Sequence, residues 1–367
     1  SLGHEVGDVF LKEAAANLRT VLHAEDFLGR MGGDEFVVII PGDKLETEIF
    51  QIAKKLSEAI SSPFIYKNKE IRITASFGIT QYPKDGNNAT ELLQRTDMAM
   101  YRGKALGKQH ITFYNNDMQK SVEKQLDIEN ELRVALDNEE LYLVYQPQFD
   151  SVTHELRGYE ALSRWNSHKL GSVSPLDFIP VAERTGDIVP LGKWILETAC
   201  NKHVKVFENR EDAPVLAVNI SARQFQDPDF VSCVKRIIKK TGMNTHKLEF
   251  EITESVCIMN PEIILSIFAQ LKNLGIEIAL DDFGTGYSSL SYLSNLPFDI
   301  VKIDTSFTRK ILNTPPEKNL IKTIITMAHQ LGLKVIAEGV EVKPQLDYLL
   351  ENKCDYIQGN YFSKPIA

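Results

Sequence analysis

Five apolar, strand-like runs each end in a side chain that can hold a metal: Glu160, Asn219, Glu251, the pair Asp281-Asp282, and Glu338. A further run, Ile300–Ile303, carries Lys302 and delivers Asp304. Acids at the ends of buried strands need an explanation, because a buried carboxylate is costly unless a cation or hydrogen bonds compensate it. An all-oxygen set with one ammonium suits Mg²⁺ or Mn²⁺, and the lack of His and Cys in the set argues against zinc. Two adjacent aspartates could bind two ions, one bridging. Two ions about 4 Å apart stabilise the attacking and leaving oxygens of an in-line phosphoryl displacement. Lys302 could orient or deprotonate a water, or offset phosphate charge. A single strand-end Asp or Asn is commonly a helix N-cap, and a single Lys commonly lies on a solvated face. Six such positions in register point to a site.

The elements that would position these groups are strands alternating with amphipathic helices. Strand candidates are Leu141–Gln146, Gly158–Ser163, Val215–Asn219, Leu248–Glu251, Ile276–Leu280, Ile300–Ile303, Lys334–Ala337 and Tyr356–Gln358. Eight strands at βαβ spacing predict a parallel α/β barrel with its chemistry at the strand C-termini. The segment Asp282–Ser289 holds two glycines directly after the aspartates and reads as a mobile active-site loop. Glu341 could hydrogen-bond that loop.

Upstream, helical spacing covers Val9–Val21, Ile49–Ile60 and Thr90–Ala105, and strand signals cover Phe36–Ile40 and Ile71–Phe77. This predicts an α+β unit over 1–114. Residues 115–138 are rich in Gln, Glu, Lys and Leu without a breaker and predict a connecting helix, leaving 139–367 for the barrel.

The 367 residues are 43% hydrophobic and carry a net charge of −9, so disorder and non-specific binding to DNA, RNA or anionic membrane are not expected. Cys200, Cys233, Cys257 and Cys354 form no CxxC pair and read as free thiols in a reducing cytosol. No apolar run has the length of a membrane span. The chain reads as cytoplasmic, or as the cytoplasmic portion of a longer, membrane-anchored sensor. It opens mid-motif, as a fragment would.

Glu160-Ala161-Leu162-x-Arg164, Asn219, Glu251-x-Thr253-Glu254, Asp281-Asp282-Phe283-Gly284-Thr285-Gly286, Lys302-Ile303-Asp304, Glu338-Gly339-Val340-Glu341 and Gln358-Gly359 resemble, in order, the motifs of the EAL-domain family of cyclic-di-GMP phosphodiesterases. The resemblance runs from about Leu141 to the end. It implies a modified (β/α)8 TIM-like barrel whose first strand is antiparallel, and hydrolysis of cyclic-di-GMP to linear pGpG with two Mg²⁺ or Mn²⁺ ions. It implies Glu160, Asn219, Glu251, Asp281, Asp282 and Glu338 as metal ligands. Lys302 falls near the catalytic water, with Glu338 and Asp282 also catalytic. Arg164, Gln146, Asp304 and Gln358 resemble substrate-contacting positions, and Glu341 the loop-stabilising one. Ser163 stands where the family often has Leu or Val. A homodimer through the barrel follows from the same analogy.

Arg30-Met31-Gly32-Gly33-Asp34-Glu35-Phe36 resembles the signature of GGDEF diguanylate cyclases, supported by Gly3-His4-x-x-Gly7-Asp8 and Thr96-Asp97-x-Ala99-Met100-Tyr101-x-x-Lys104. Two glycines before two acids suit a hairpin turn beside a bound triphosphate. The resemblance makes Asp8, Gly32, Gly33, Asp34 and Glu35 a vestigial nucleotide site in an N-terminally truncated, partial α+β domain. No cyclase activity is then expected of this chain, with GTP a ligand of a complete domain only. His23 replaces the Arg of the family's product-inhibition motif. A cyclic-di-GMP receptor that does not cleave and a bifunctional cyclase–phosphodiesterase are the competing expectations. Retention of all the acids favours the hydrolase.

Overall fold

The computed structural model describes residues 4–66, 69–71, 74–105, 110–208, 210–254, 256, 260–284, 293, 295–312 and 315–367. The chain divides into two compact units, Ser1–Lys124 and Gln125–Ala367.

In the first unit, helix His4–Val21 leads to strands β1 (Phe27–Gly32) and β2 (Glu35–Ile39), an antiparallel hairpin. Its turn is Gly33-Asp34, where Gly33 has φ 51°, a conformation that glycine adopts without steric cost. Helix Glu46–Ile60 starts where the Leu45 N–H donates to Glu48 Oε2 at 2.7 Å. β3 (Phe64–Tyr66) pairs antiparallel with β4 (Lys69–Ile71), and β5 (Phe77–Ile79) pairs parallel with β6 (Ile111–Phe113) around helix Ala89–Ala105. The alternation from Ile71 to Phe77 therefore does not form one strand. Residues 69–71 and 77–79 serve two separate pairings, which periodicity cannot distinguish. β1 and β6 carried too weak an alternation to be foreseen.

Helix Asn116–Ala135 follows, and Ile128, Leu132 and Ala135, at i, i+4, i+7 spacing, are buried in the core of the second unit. That unit contains β7 (Leu141–Asp150), β8 (Leu156–Ser167), β9 (Gly171–Val173), β10 (Val215–Asn219), β11 (Leu248–Thr253), β12 (Glu277–Phe283), β13 (Ile300–Ile303), β14 (Lys334–Ala337) and β15 (Tyr356–Gln358). The sheet runs β10-β11-β12-β13-β14-β15-β7-β8, and a β10–β8 pairing closes it into an eight-stranded barrel, with β9 appended to β8. β7 is antiparallel to both neighbours. Its link to β8 is too short for a parallel crossover. Asp150 Oδ1 accepts from the N–H groups of Val152 and Thr153, both at 2.9 Å, and fixes that turn.

Outward positions such as Val218, Phe250, Ile252, Leu280, Val301, Ile303 and Val335 join the main core. Burying each such aliphatic or aromatic side chain contributes about 1.5–3 kcal/mol. Inside the barrel, Ala279, Ile300 and Ile336, with Tyr356 against them, make one thin apolar layer. Each stands two residues before Asp281, Lys302, Glu338 or Gln358, so this layer is the floor under those groups.

Candidate active site

Period-two geometry aims Glu160, Glu251, Asp281, Lys302 and Gln358 into the barrel, because their neighbours Ala161, Ile252, Leu280, Ile303 and Ile357 are buried in the main core. Lys302 is completely buried. Its Nζ lies 2.7 Å from Glu338 Oε1, 2.8 Å from Glu251 Oε1, 3.3 Å from Asp281 Oδ1 and 3.5 Å from Glu160 Oε2. Asn219 Nδ2 and Gln358 Nε2 donate to the two oxygens of Glu160, each at 2.6 Å.

Asp281 and Asp282 are consecutive, so a regular strand would send them to opposite faces. A register shift between Leu280 and Phe283 in the β12–β13 pairing, with Asp282 at φ 54°, interrupts that alternation. As a result, carboxylate oxygens of Asp281, Asp282 and Glu338 lie within 4.8 Å of one another, an acidic cluster that could hold a metal ion.

The cup carries more negative charge than Lys302 can offset. Burial opposes the Lys302 ammonium, but Asp281, Glu160, Glu251 and Glu338 outweigh it and hold the group well above the ordinary lysine range. Burial and the Glu160 charge push Glu251 well above the usual carboxylate range. Burial acts on Glu160 in the same direction, yet Lys302 and the donors around it hold it below that range. Burial pushes Glu338 up to about 8 against the opposing Lys302 charge, with Asp281 and Glu160 adding to the rise, and burial followed by the Asp281 charge pushes Asp282 up to about 6. Glu251 Oε2 is buried and, among the described residues, accepts no hydrogen bond, so a lone pair remains for a cation. Oxygen donors, excess charge and an unsatisfied buried acceptor together fit hard divalent ions.

Gln146 Oε1 accepts from Gln358 Nε2 at 3.2 Å, inside the same cup. Arg164 shares the face of Glu160 on β8 and donates from Nη1 to the Ser163 carbonyl at 2.8 Å. Asp304 caps helix Thr305–Lys310, accepting from the Ser306 N–H at 2.9 Å, and its charge also raises Asp282. Glu341 is exposed and faces Arg309 Nη2 at 3.3 Å. The Gly284 N–H, where the glycine-rich segment begins, instead donates to Glu254 Oε1 at 2.9 Å. Thr285 to Ser289 lie outside the described residues. So do Gly3 of the upstream motif, Cys257 and the side chain of Asp8. Asp34 and Glu35 stand exposed beside Gly32 and Gly33 on the β1–β2 hairpin.

Sequence reasoning missed Gln148, Arg157, Glu249 and Glu254 as parts of this interior. Gln148 and Glu249 had a readable signal, since each lies two residues from a site residue on the same strand face. Glu254 lay within a motif without a role. Arg157 had no signal.

Residues 129–365 match the family model for the EAL domain, and residues 1–110 match that for the diguanylate cyclase GGDEF domain. The chain belongs to the EAL domain family. It is 39% identical over its whole length to the signaling protein YkoW of Bacillus subtilis, covering 46% of that protein. It is 36% identical over 99% of its length to the bifunctional diguanylate cyclase/cyclic di-GMP phosphodiesterase MucR of Pseudomonas aeruginosa, covering 53% of it. The chain thus spans about half the length of these curated relatives. The solved PaMucR phosphodiesterase in complex with c-di-GMP matches with a TM-score of 0.63 at 34% identity, over 65% of this chain and 97% of that one. The closed barrel with its reversed first strand is therefore the EAL barrel, with a GGDEF domain before it. No described helix is long and apolar enough to cross a membrane.

Proposed function

We propose that this chain hydrolyses cyclic-di-GMP to linear pGpG in the cup of its EAL barrel. The observation that carries the reading is the buried Lys302 ammonium ringed by Glu160, Glu251, Asp281 and Glu338 at the strand ends. The phosphodiesterase name of MucR and the c-di-GMP bound to PaMucR support the choice of substrate.

Asp281, Asp282 and Glu338, with Glu160, Asn219 and Glu251, would hold two Mg²⁺ or Mn²⁺ ions. Such ions, when bound, polarise the phosphate and make water a stronger nucleophile at neutral pH. Water adds to phosphorus, the P–O3′ bond breaks, and O3′ takes up a proton. Lys302, ringed by these carboxylates, would donate hydrogen bonds to the attacking water or the phosphate. Asp282 and Glu338, ionised when an ion is bound, would accept hydrogen bonds from the attacking water and orient it, its proton passing to bulk water. Arg164 offers its fork of donors to a phosphate. Gln146, Gln358 and Asp304 line the substrate's path, and Glu341 steadies the glycine-rich loop alongside Glu254.

The GGDEF domain enters this reading as a regulatory unit, with GTP as its nucleotide. Asp34 and Glu35 on the open hairpin would face that nucleotide. Dimerisation through the EAL barrel and a cytoplasmic location complete the reading; the unpaired Cys200, Cys233 and Cys354 suit a reducing compartment.

Incubating the chain with cyclic-di-GMP and Mg²⁺ or Mn²⁺ should yield pGpG. Binding with neither metal supporting product would refute hydrolysis and leave a non-cleaving receptor.

A further inference from the structure

A second polar set lies in the barrel below the cup, and a bulge creates it. In the β7–β8 pairing Gln148 faces Gly158 while Phe149 faces Leu156, leaving Arg157 as the extra residue. Bulges re-aim side chains. The Arg157 side chain is only 9% exposed, ion-pairs with buried Glu249, lies 3.5 Å from Glu277 Oε2, and packs its guanidinium over the Tyr356 ring at 4.8 Å. Gly158 beside it has no room for a side chain, since a Cβ there would meet the Val215 carbonyl oxygen at 2.5 Å.

From Arg157 a chain of hydrogen bonds climbs to the cup. Arg157 Nη1 donates to Gln148 Oε1 at 2.6 Å. Gln148 Nε2 donates to Gln358 Oε1 at 3.0 Å and reaches Glu251 Oε1 at 3.5 Å. Gln358 Nε2 donates to Glu160 Oε2 at 2.6 Å. Gln148 and Gln358 are buried, so bulk water does not substitute for a lost partner.

The two ends of this chain fix its polarity. A guanidinium only donates, and an ionised carboxylate only accepts. Gln148 must therefore turn its oxygen to Arg157 and its nitrogen upward. Gln358 must then accept from Gln148 and donate to Glu160. Flipping either amide would set donor against donor or acceptor against acceptor.

We propose that Arg157 is a positioning residue: its donor-only end, through Gln148 and Gln358, fixes the orientation of the Glu160 carboxylate. Glu160 Oε1 is held by Asn219, and the chain holds Oε2, which also lies 3.5 Å from Lys302 Nζ. Partners that orient a ligand typically change metal affinity by about 10- to 100-fold when lost. The inference rests on the reading of the cup as a divalent-metal hydrolytic site.

The test compares Arg157→Met, Gln148→Met and Arg157→Lys in the full chain by Mn²⁺ titration calorimetry without nucleotide, alongside melting temperature and kcat. Gln148→Met keeps the Arg157–Glu249 pair and cuts the chain above it, together with the 3.5 Å contact to Glu251 Oε1. It should weaken Mn²⁺ affinity about tenfold and lower the melting temperature less than Arg157→Met does, since it leaves buried Gln358 Oε1 without this partner but keeps the ion pair. Arg157→Met should weaken affinity to a similar degree and also lower the melting temperature. Arg157→Lys, still donor-only, should recover much of the affinity. Mn²⁺ affinity within twofold of the parent in both Met variants would overturn the proposal and leave Arg157 as a fold-stabilising ion pair. Mn²⁺ binding is read without substrate, so a parent chain that binds Mn²⁺ but makes no pGpG contradicts the hydrolytic reading while the affinity comparison still decides the role of Arg157.

Discussion

Lys302 Nζ and Glu251 Oε1 lie 2.8 Å apart, both side chains completely shielded from solvent. Burying an ion pair gives no general gain in stability. Here the pair sits among Glu160, Asp281 and Glu338, where Lys302 offsets charge that would otherwise exclude an anionic phosphodiester.

Lys302→Met should lower turnover of cyclic-di-GMP by about 100-fold or more, the scale of losing a buried donor aimed at the reacting group. Mn²⁺ affinity should hold or rise, because a cation has been removed from among the acids. Turnover assays paired with Mn²⁺ titration check this. Weakened Mn²⁺ binding with a matching loss of turnover would make Lys302 a structural residue instead.

The metal-free protein should lose stability as pH rises. Folding moves Glu338 from its ordinary 4.5 up to about 8, so between those values the folded chain keeps a proton that the unfolded chain has released. Stability then falls as pH climbs through that window, and Asp282, moved from 3.8 to about 6, adds to the fall in its lower part. Saturating Mn²⁺ should remove or reverse the trend, since ions bind the ionised carboxylates. Urea midpoints at pH 5 and pH 8, with EDTA and with Mn²⁺, read the sign directly. A midpoint that rises with pH in EDTA would contradict the account.

Asp282 at φ 54° gives a backbone comparison free of charge effects. Asp282→Ala and Asp282→Gly both delete the carboxylate and should both impair turnover. Only glycine relieves the left-handed backbone, so Asp282→Gly should be the more stable of the two by about 1 kcal/mol. Equal denaturation midpoints would mean that no strain is held there.

Much of this site was legible because its acids interrupt apolar runs. Asn219, Ile303 and Gln358 end strands where the runs stop, since those strands are buried on both faces and read as continuous apolar sequence. Two devices were not legible. The bulges at Arg157 and at Asp281-Asp282 break the period-two rule, and no residue type at those positions announces it. The β1–β2 hairpin was readable only through Gly32-Gly33, because β1 itself holds two further polar or flexible positions, Gly29 and Arg30. Glu254 escaped notice as the partner of Gly284 because 30 residues separate them.

Gly158→Ala should destabilise the barrel by about 1–3 kcal/mol, the cost of forcing a methyl group into a packed contact. The new Cβ would press on the Val215 carbonyl oxygen at 2.5 Å and on its Cβ at 3.0 Å, between β8 and β10. Chemical denaturation measures it, and a change under about 0.5 kcal/mol, ordinary for a surface substitution, would show that the strands shift apart freely.

The most direct test of the central claim is hydrolysis in ¹⁸O-labelled water with Mn²⁺, followed by mass spectrometry of the product. The account predicts linear pGpG carrying one ¹⁸O on its terminal 5′-phosphate, abolished by EDTA and by Glu160→Ala. Cyclic-di-GMP recovered intact from a complex with the Mn²⁺-loaded chain, or product without label, would contradict it.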